Sequence, residues 1–323
     1  MSAGSVLRNM LKSEKLIFTA GVYSPVQARI AEMAGLKCIY VSGYSTSIGY
    51  LLKPDIGFLN LTDMVFFAGL VAKAVKSPVI SDADDAYGNA VTATRTVEEF
   101  SRAGVAAIHV EDQRFPKRCG HLAGKLVLTF DEALLKLKSI LRARDEVDRD
   151  LLIIARTDVL GSVGGGVEEA VRRGVAFAEA GADMVWAEFR SPDDPAAAIF
   201  AEKVLKEYPK TPLVFNYSSS FKWSRSASRL RFKDLANMGY KLVLVSMGAL
   251  QAELLYVWRY LRSLAEEGEV AHWRLEEELE GTPFENLHEF VGLSRYAELE
   301  RLYLPGEELK ERYGEGKNYR TLR

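Results

Sequence analysis

The sequence predicts a (β/α)8 barrel of the TIM type with extra C-terminal helices. Three observations carry that expectation. Eight short apolar runs recur along the 323 residues, each followed by a stretch of helical periodicity. The runs are rich in Val, Ile and Leu and mostly apolar on both faces, as strands of a parallel sheet covered on both sides must be. Ala-Gly-Leu, Ala-Gly-Val and Ala-Gly-Ala stand just before runs, at 34–36, 103–105 and 180–182, where a βα repeat turns from helix to strand. The alternative is an open doubly wound sheet; eight units favour closure.

Residues Met1 to Lys15 place Leu7, Met10 and Leu11 at helical spacing without a sustained apolar stretch. They read as a short amphipathic helix capping the fold, not as a signal peptide. The first strand is Ile17–Ala20, followed by a helix over Pro25–Ala34 that stops at Gly35. Cys38–Ser42 is the second strand, with a helix over Thr62–Val75. Pro78–Ser81 is the third, with a helix over Thr96–Ala103 ended by Gly104. Ala106–Val110 and a helix over Phe130–Arg144 form the fourth unit. Leu151–Ala155 and Val167–Ala180 form the fifth; Gly164-Gly165-Gly166 between them lacks the Lys-Ser/Thr of a phosphate loop. Met184–Ala187 with Asp194–Glu207, and Leu213–Phe215 with Phe232–Met238, are the sixth and seventh units, and Leu242–Val245 is the eighth strand. A barrel needs about 250 residues, so about 70 remain. The expected division is a barrel over 1–250, carrying a catalytic loop around 115–126, and a helical extension over 251–323. In that extension Leu254–Leu264 and Val291–Leu304 are apolar at helical spacing, suited to packing on the barrel or on a neighbouring subunit.

Lys+Arg (42) and Asp+Glu (44) nearly balance, giving a net charge of −2 and no basic excess for nucleic acid. No run reaches the roughly 18 apolar residues of a membrane span. Two cysteines, Cys38 and Cys119, make no disulfide framework, and a reducing, cytoplasmic setting fits. Cys38, within an apolar strand, reads as a buried core thiol.

The active site of a barrel lies at the C-terminal ends of its strands. Six consecutive strands end there in polar groups: Ser42, Gly43 and Tyr44 with Asp55 beyond; Asp82, Asp84 and Asp85; His109, Glu111, Asp112 and Gln113; Arg156, Thr157 and Asp158; Glu188; and Asn216, Ser218 and Ser220. Any one of these could be a helix cap. Together Asp55, Asp82, Asp84 and Glu111 would crowd like charges at one mouth. A divalent cation would relieve them, and oxygen-only donors favour Mg²⁺ or Mn²⁺. Lys117-Arg118-Cys119-Gly120-His121 could be a solvated basic loop. A cysteine between two cations and a histidine also suits a proton donor or acceptor near neutral pH, and Gly120 and Gly124 would let the segment move as a lid. In Asn216-Tyr217-Ser218-Ser219-Ser220-Phe221-Lys222-Trp223, an extended backbone would put Asn216, Ser218 and Ser220 on one face, able to hold a carboxylate.

Over roughly residues 16 to 250 the chain resembles the isocitrate lyase and phosphoenolpyruvate mutase superfamily. Lys117-Arg118-Cys119-Gly120-His121 resembles the lyase signature loop, beside His109-Val110-Glu111-Asp112-Gln113 and Ala155-Arg156-Thr157-Asp158. The continuation His121-Leu122-Ala123-Gly124-Lys125 and the Asn-x-Ser-x-Ser-Phe-x-Trp pattern at 216–223 are most similar to the isocitrate lyase branch. The resemblance implies Mg²⁺-dependent retro-aldol cleavage of a small tricarboxylate, isocitrate, to glyoxylate and succinate, with a glyoxylate-cycle role. Asp82 would bind the metal, with Asp55, Asp84 and Glu111 around it. Ser42, Gly43, Tyr44 and Arg156 would hold the glyoxylate part; Gly120, His121, Asn216, Ser218 and Ser220 the succinate part. Cys119 would exchange the proton on the succinate carbon, Tyr40 matches a tyrosine that assists proton transfer, and Glu188 matches a glutamate near the carboxylates. It also implies a homotetramer with exchanged C-terminal helices. The chain departs from isocitrate lyases at Tyr44, where Trp is common, at Asp84, where Glu is common, and at Val245, where a pocket Thr is expected. Tyr87-Gly88-Asn89 is closer to other branches, and the length is nearer to that of methylisocitrate lyases. Cleavage of 2-methylisocitrate to pyruvate and succinate therefore stays open as the alternative. A barrel that binds carboxylates without catalysis is the reading from a different class.

Overall fold

A computed structural model describes residues 1–192, 194–226 and 230–313. Eight strands, Ile17–Val22 (β1), Ile39–Val41 (β2), Val79–Asp82 (β3), Ala107–Glu111 (β4), Leu152–Thr157 (β5), Met184–Ala187 (β6), Leu213–Asn216 (β7) and Tyr240–Val245 (β8), close into a barrel in sequence order. All pairs are parallel, and β1 pairs with β8 from Ile17↔Leu242 to Ala20↔Val245, which excludes the open sheet.

Side-chain alternation along each strand divides the core in two. Inside the barrel lie Ile17, Tyr40, Ile80, Ala107, Leu152, Ile154, Met184, Trp186, Val214, Leu242 and Leu244, together with Cys38. Between the strands and the surrounding helices lie the partners of opposite parity, among them Ile39, Val41, Val79, Ile108, Ile153, Val185 and Val243. The N-terminal helix, Ala3–Ser13, puts Leu7 and Leu11 into the inner cluster and so plugs the barrel floor. Ser2 caps it by accepting from the Ser5 amide, and Arg8 and Arg144 meet on Asp183, each at 2.6 Å. Leu7 is fully buried. Leu7→Ala is expected to cost about 2–5 kcal/mol of unfolding free energy, the range for a leucine truncated in a packed core. Denaturant titration of the two proteins measures it.

Most helices begin and end within three residues of their expected limits, and Gly104 and Gly239 occupy left-handed C-terminal positions as expected. The sequence did not announce one helix, Gly43–Leu51, directly after β2. Its serines, threonine and glycines are weak helix formers. Capping and burial override that: the Ser42 hydroxyl accepts from the Ser45 amide, and Gly43, Ser45, Thr46 and Ser47 are buried. The helix expected from Asp194 begins at Ala196, because the Asp194 carboxylate accepts from the Ala196 amide as a turn outside the helix.

The chain divides into two compact units at Glu253/Leu254. Beyond the boundary, helix Gly248–Glu267 continues and Glu269–Leu279, Leu287–Phe290, Leu293–Tyr303 and Gly306–Tyr313 follow. The last residues of the expected extension, 314–323, lie outside the described residues. Among the described residues no helix is long and apolar enough to cross a membrane.

Candidate active site

Strand register sets the site. Asp82 at the end of β3 lies opposite His109 on β4, and Glu111 at the end of β4 lies opposite Arg156 on β5. Of the expected site residues, Tyr40, Ser42, Tyr44, Asp55, Asp82, Glu111, Cys119, Gly120, His121, Arg156, Glu188, Asn216 and Ser218 line one pocket at this mouth, of about 30 Å³. Gly43 stands beside it: its amide donates to Asp82 Oδ2 at 3.2 Å, and a Cβ there would come within 2.6 Å of that oxygen.

The acidic cluster is organised by a cation of the chain itself. Lys117 is 3% exposed, and its ammonium lies 2.5 Å from Asp55 Oδ1 and 2.6 Å from Asp84 Oδ1. The reading of this loop as a solvated basic run is corrected at Lys117. The expected crowding of four carboxylates is relieved in part by this ammonium. Burial opposes the charge on Lys117, but Asp55 and Asp84 hold it well above its ordinary range. Burial pushes the Asp84 carboxyl up against the pull of Lys117. Asp82 is opposed by burial too, yet His109, Lys117 and Arg156 hold it below the usual carboxylate range. Its oxygens accept from the amides of Asp84, at 2.9 Å, and Gly43. Glu111 is pushed well up by burial, and its Oε1 is buried without a hydrogen-bond partner.

Among the described residues no three His, Cys, Asp or Glu side chains form a ready-made metal cage. The donor set still fits a hard divalent cation. Asp82 and the unpartnered Glu111 oxygen offer carboxylate ligands at one pocket, and Mg²⁺ keeps several waters and needs one or two carboxylates.

On the neighbouring strands, where Arg156 also lies 3.4 Å from Glu111, the groups converge on Glu188. Its carboxylate accepts from Asn216 Nδ2, at 3.2 Å to each oxygen, and pairs with His121 Nε2 at 3.0 Å and an Arg156 nitrogen at 3.4 Å. Burial would raise Glu188, but His121 and Arg156 hold it below the usual range. Burial likewise opposes protonation of His121, yet Glu188 and the Cys119 side chain carry it up to about 9. His121 is thus an imidazolium at neutral pH. Its pairing stabilises the fold fully below the free-histidine value of about 6.5 and loses that contribution as pH rises through about 9. NMR titration of the four histidines is expected to show one ring still protonated well above pH 7 and absent in His121→Gln.

Arg156 is held from behind by Asp158, at 2.7 and 3.1 Å, and lies over the Trp186 ring at 4.4 Å. Tyr40 donates towards or accepts from His109 Nε2 at 3.0 Å. Burial drives His109 down to about 4 and Tyr40 well up, so both are neutral.

The loop carrying Cys119 is tied down on both sides. The Cys119 amide donates to the Asp55 carbonyl at 2.8 Å, and the Gln113 carboxamide clasps the Arg118 backbone through two hydrogen bonds. Lys125, 1% exposed, donates to the Gly120 carbonyl at 2.6 Å and to Asp158 at 2.7 Å. Gly120 must lack a side chain: a Cβ would meet an Arg156 nitrogen at 2.5 Å and Glu188 Cγ at 2.6 Å. Cys38, by contrast, sits in the barrel interior, its thiol pushed by burial to about 12.

Two expectations are corrected. Ser220 is exposed and outside the pocket, because Ser219–Phe221 is a 3-10 turn rather than extended chain; its amide donates to Ser218 Oγ. Asp84, expected around the metal, lies beside the pocket lining and is engaged with Lys117. Ser246 and Met247 line the pocket where a residue in place of Val245 was expected. Leu242 and Leu244 point inward, so parity assigns Ser246, not Val245, to the interior. Trp186, fully buried, also lines the pocket and was visible in the sequence as nothing more than a strand residue.

Comparison with known proteins gives a consistent picture. The phosphoenolpyruvate phosphomutase family model matches residues 7–265. An isocitrate lyase of Haloferax volcanii is 38% identical over 93% of this chain and 86% of its own. A 2-methylisocitrate lyase of Aeropyrum pernix is 35% identical over 82% of this chain and 80% of its own. The crystal structure of a phosphonopyruvate hydrolase in complex with oxalate and Mg²⁺ superposes with a TM-score of 0.79 at 28% identity, covering 94% of this chain and 100% of that one.

Proposed function

Since the chain belongs to the phosphoenolpyruvate phosphomutase family, in the superfamily that includes the isocitrate lyases, we propose that it is a Mg²⁺-dependent carbon–carbon lyase cleaving isocitrate to glyoxylate and succinate. The observation that carries the reading is one pocket with two chemistries. Carboxylates Asp82 and Glu111 line it together with the Arg156, His121 and Asn216 donors, an Arg156 nitrogen lying 3.4 Å from Glu111, and Cys119 reaches it from a tied-down loop.

Bound Mg²⁺, or Mn²⁺, would supply Lewis-acid polarisation of the forming aldehyde. Asp82 and Glu111 would hold it, with Asp55 and Asp84 beside them. The remaining work falls to the chain. Arg156, Ser42 and the Gly43–Tyr44 backbone orient the glyoxylate part. Tyr40 receives the hydroxyl proton at its oxygen, with His109 Nε2 at 3.0 Å to take the phenol's own. Cleavage leaves a carbanion conjugated with a carboxylate. The His121 imidazolium, Asn216 and Ser218 stabilise that charge in a site of low dielectric, with Glu188 orienting His121 and Asn216. Cys119 Sγ then protonates the carbon. The pocket is narrow, about 30 Å³, and the 117–121 loop would lift to admit a tricarboxylate and close to exclude water.

Cleavage of 2-methylisocitrate is the second reading, favoured by Tyr44 and Met247 on the pocket wall and by the Aeropyrum relative. One methyl group is worth about 1–3 kcal/mol of discrimination, within the reach of either side chain. The test is 2-oxo acid release from each substrate with Mg²⁺, compared as kcat/KM. Preference for isocitrate supports the proposal; preference for the methylated acid replaces it with the alternative.

Assembly as a cytoplasmic homotetramer with exchanged C-terminal helices belongs to the same proposal. Its support is an uncovered apolar run on helix Gly248–Glu267, where Leu254, Tyr256, Trp258 and Leu261 are 52–66% exposed. A monomer in sedimentation would contradict it.

A further inference from the structure

Two buried charged residues take no part in the chemistry above. Asp158 is 0% and Lys125 1% exposed, and neither lines the pocket. Asp158 is held from the strand side. Its amide donates to Asp112 Oδ1 at 2.9 Å, and the Asp112 carboxylate also accepts from Thr157 Oγ1 at 2.6 Å and from an Arg173 nitrogen at 2.8 Å. Lys125 is held from the loop side, where it pairs with Ser162 in an isolated parallel bridge. Gly161 leaves it room, since a Cβ there would come within 2.9 Å of the ammonium.

Together the two residues join separate parts of the site. Asp158 Oδ2 accepts from Arg156 Nε at 2.7 Å. Asp158 Oδ1 accepts from Arg156 Nη2 at 3.1 Å and from the Lys125 ammonium at 2.7 Å. That ammonium also donates to the Gly120 carbonyl at 2.6 Å. A continuous path thus runs from the loop backbone, through one cation and one carboxylate, to the arginine in the pocket. Hydrogen bonds with an ionised partner are about twice as strong as neutral ones. Burial opposes the charge on Asp158, but Arg156 and Lys125 hold its carboxyl below the usual carboxylate range. Gly120 lies between Cys119 and His121, and a Cβ there would come within 2.5 Å of an Arg156 nitrogen and 3.1 Å of Asp158 Oδ1. The loop therefore approaches the arginine at the very residue whose carbonyl Lys125 grips.

We propose that Lys125 and Asp158 are positioning residues: Lys125 latches the loop of Cys119 and His121 in its closed place, and Asp158 sets that latch and Arg156 together. Lifting the loop takes the Gly120 carbonyl away from Lys125. Its return is guided to a place fixed by the same carboxylate that aims Arg156. The thiol on the loop and the guanidinium on the strand so come into register in one step. The consequence for cleavage rests on the lyase reading; the latch does not, and it is tested without substrate.

The test is labelling of the full chain with N-ethylmaleimide, followed at each cysteine by peptide mass spectrometry over a range of pH. This reagent is bulky beside a pocket of about 30 Å³, so attack on Cys119 reports opening of the loop. Variant and wild type are compared where the rate no longer rises with pH, which separates access from thiol acidity. Cys38, fully buried in the barrel interior, is the internal gauge of global unfolding. Lys125→Met is expected to speed labelling of Cys119 about tenfold, as loss of a charge-assisted hydrogen bond predicts, with Cys38 unchanged. Asp158→Asn keeps the shape, removes the charge and should do the same. The double variant should label no faster than the faster single one, because both changes act on one path. An unchanged Cys119 rate in either single variant, a rise at Cys38 in step with Cys119, or full additivity in the double variant would each overturn the proposal. Absence of 2-oxo acid release would sink the lyase reading and leave these rates standing.

Discussion

Cys119→Ser is expected to slow turnover by about 10²–10⁴-fold, the contribution of a positioned general acid, while leaving Mg²⁺ binding intact. The serine hydroxyl fits the same space but is a far weaker acid. The substitution spares what locates residue 119, since its amide still donates to the Asp55 carbonyl and Lys125 still holds the Gly120 carbonyl. Two measurements check this: steady-state kinetics, and exchange of the succinate methylene protons with deuterated solvent, which should slow in parallel. Near-normal turnover would remove Cys119 from the acid role.

Asp82→Ala is expected to abolish metal-dependent cleavage, with a loss of about a thousandfold or more and of Mg²⁺ binding by calorimetry. Asp55 and Asp84 are both engaged by Lys117, which leaves Glu111 alone as a carboxylate ligand. Gly43→Ala approaches the same carboxylate from outside, placing a Cβ within 2.6 Å of Asp82 Oδ2, and should reproduce part of the loss without removing a charge. Full activity of EDTA-treated wild-type protein would take the metal out of the mechanism.

The barrel was legible in the sequence because each strand is a short apolar run between turn residues, a local signal repeated eight times. The acids and Arg156 were legible because barrel geometry assigns strand ends to the mouth. What escaped was decided by the third dimension. Helix Gly43–Leu51 has poor local propensity and exists through its cap and its burial. Ser220 failed because one 3-10 turn breaks the alternation on which its placement depended. Lys117 reads as a surface charge beside Arg118, and nothing local says that its side chain reaches Asp55, 62 positions earlier. Ser246 was within reach of strand parity counted from Leu242 and Leu244.

That lysine also sets how the mouth responds to its surroundings. Exposed pairs such as Arg142 with Glu146 are weakened by dissolved salt, since mobile ions screen them over about 8 Å at physiological ionic strength. The Lys117 pairs with Asp55 and Asp84 are buried on all three members, and mobile ions screen them far less. The grip on the loop therefore depends far less on ionic strength. An enzyme held this way would keep the same closed resting arrangement in dilute buffer and in concentrated brine, while charge pairs on its outer helices come and go.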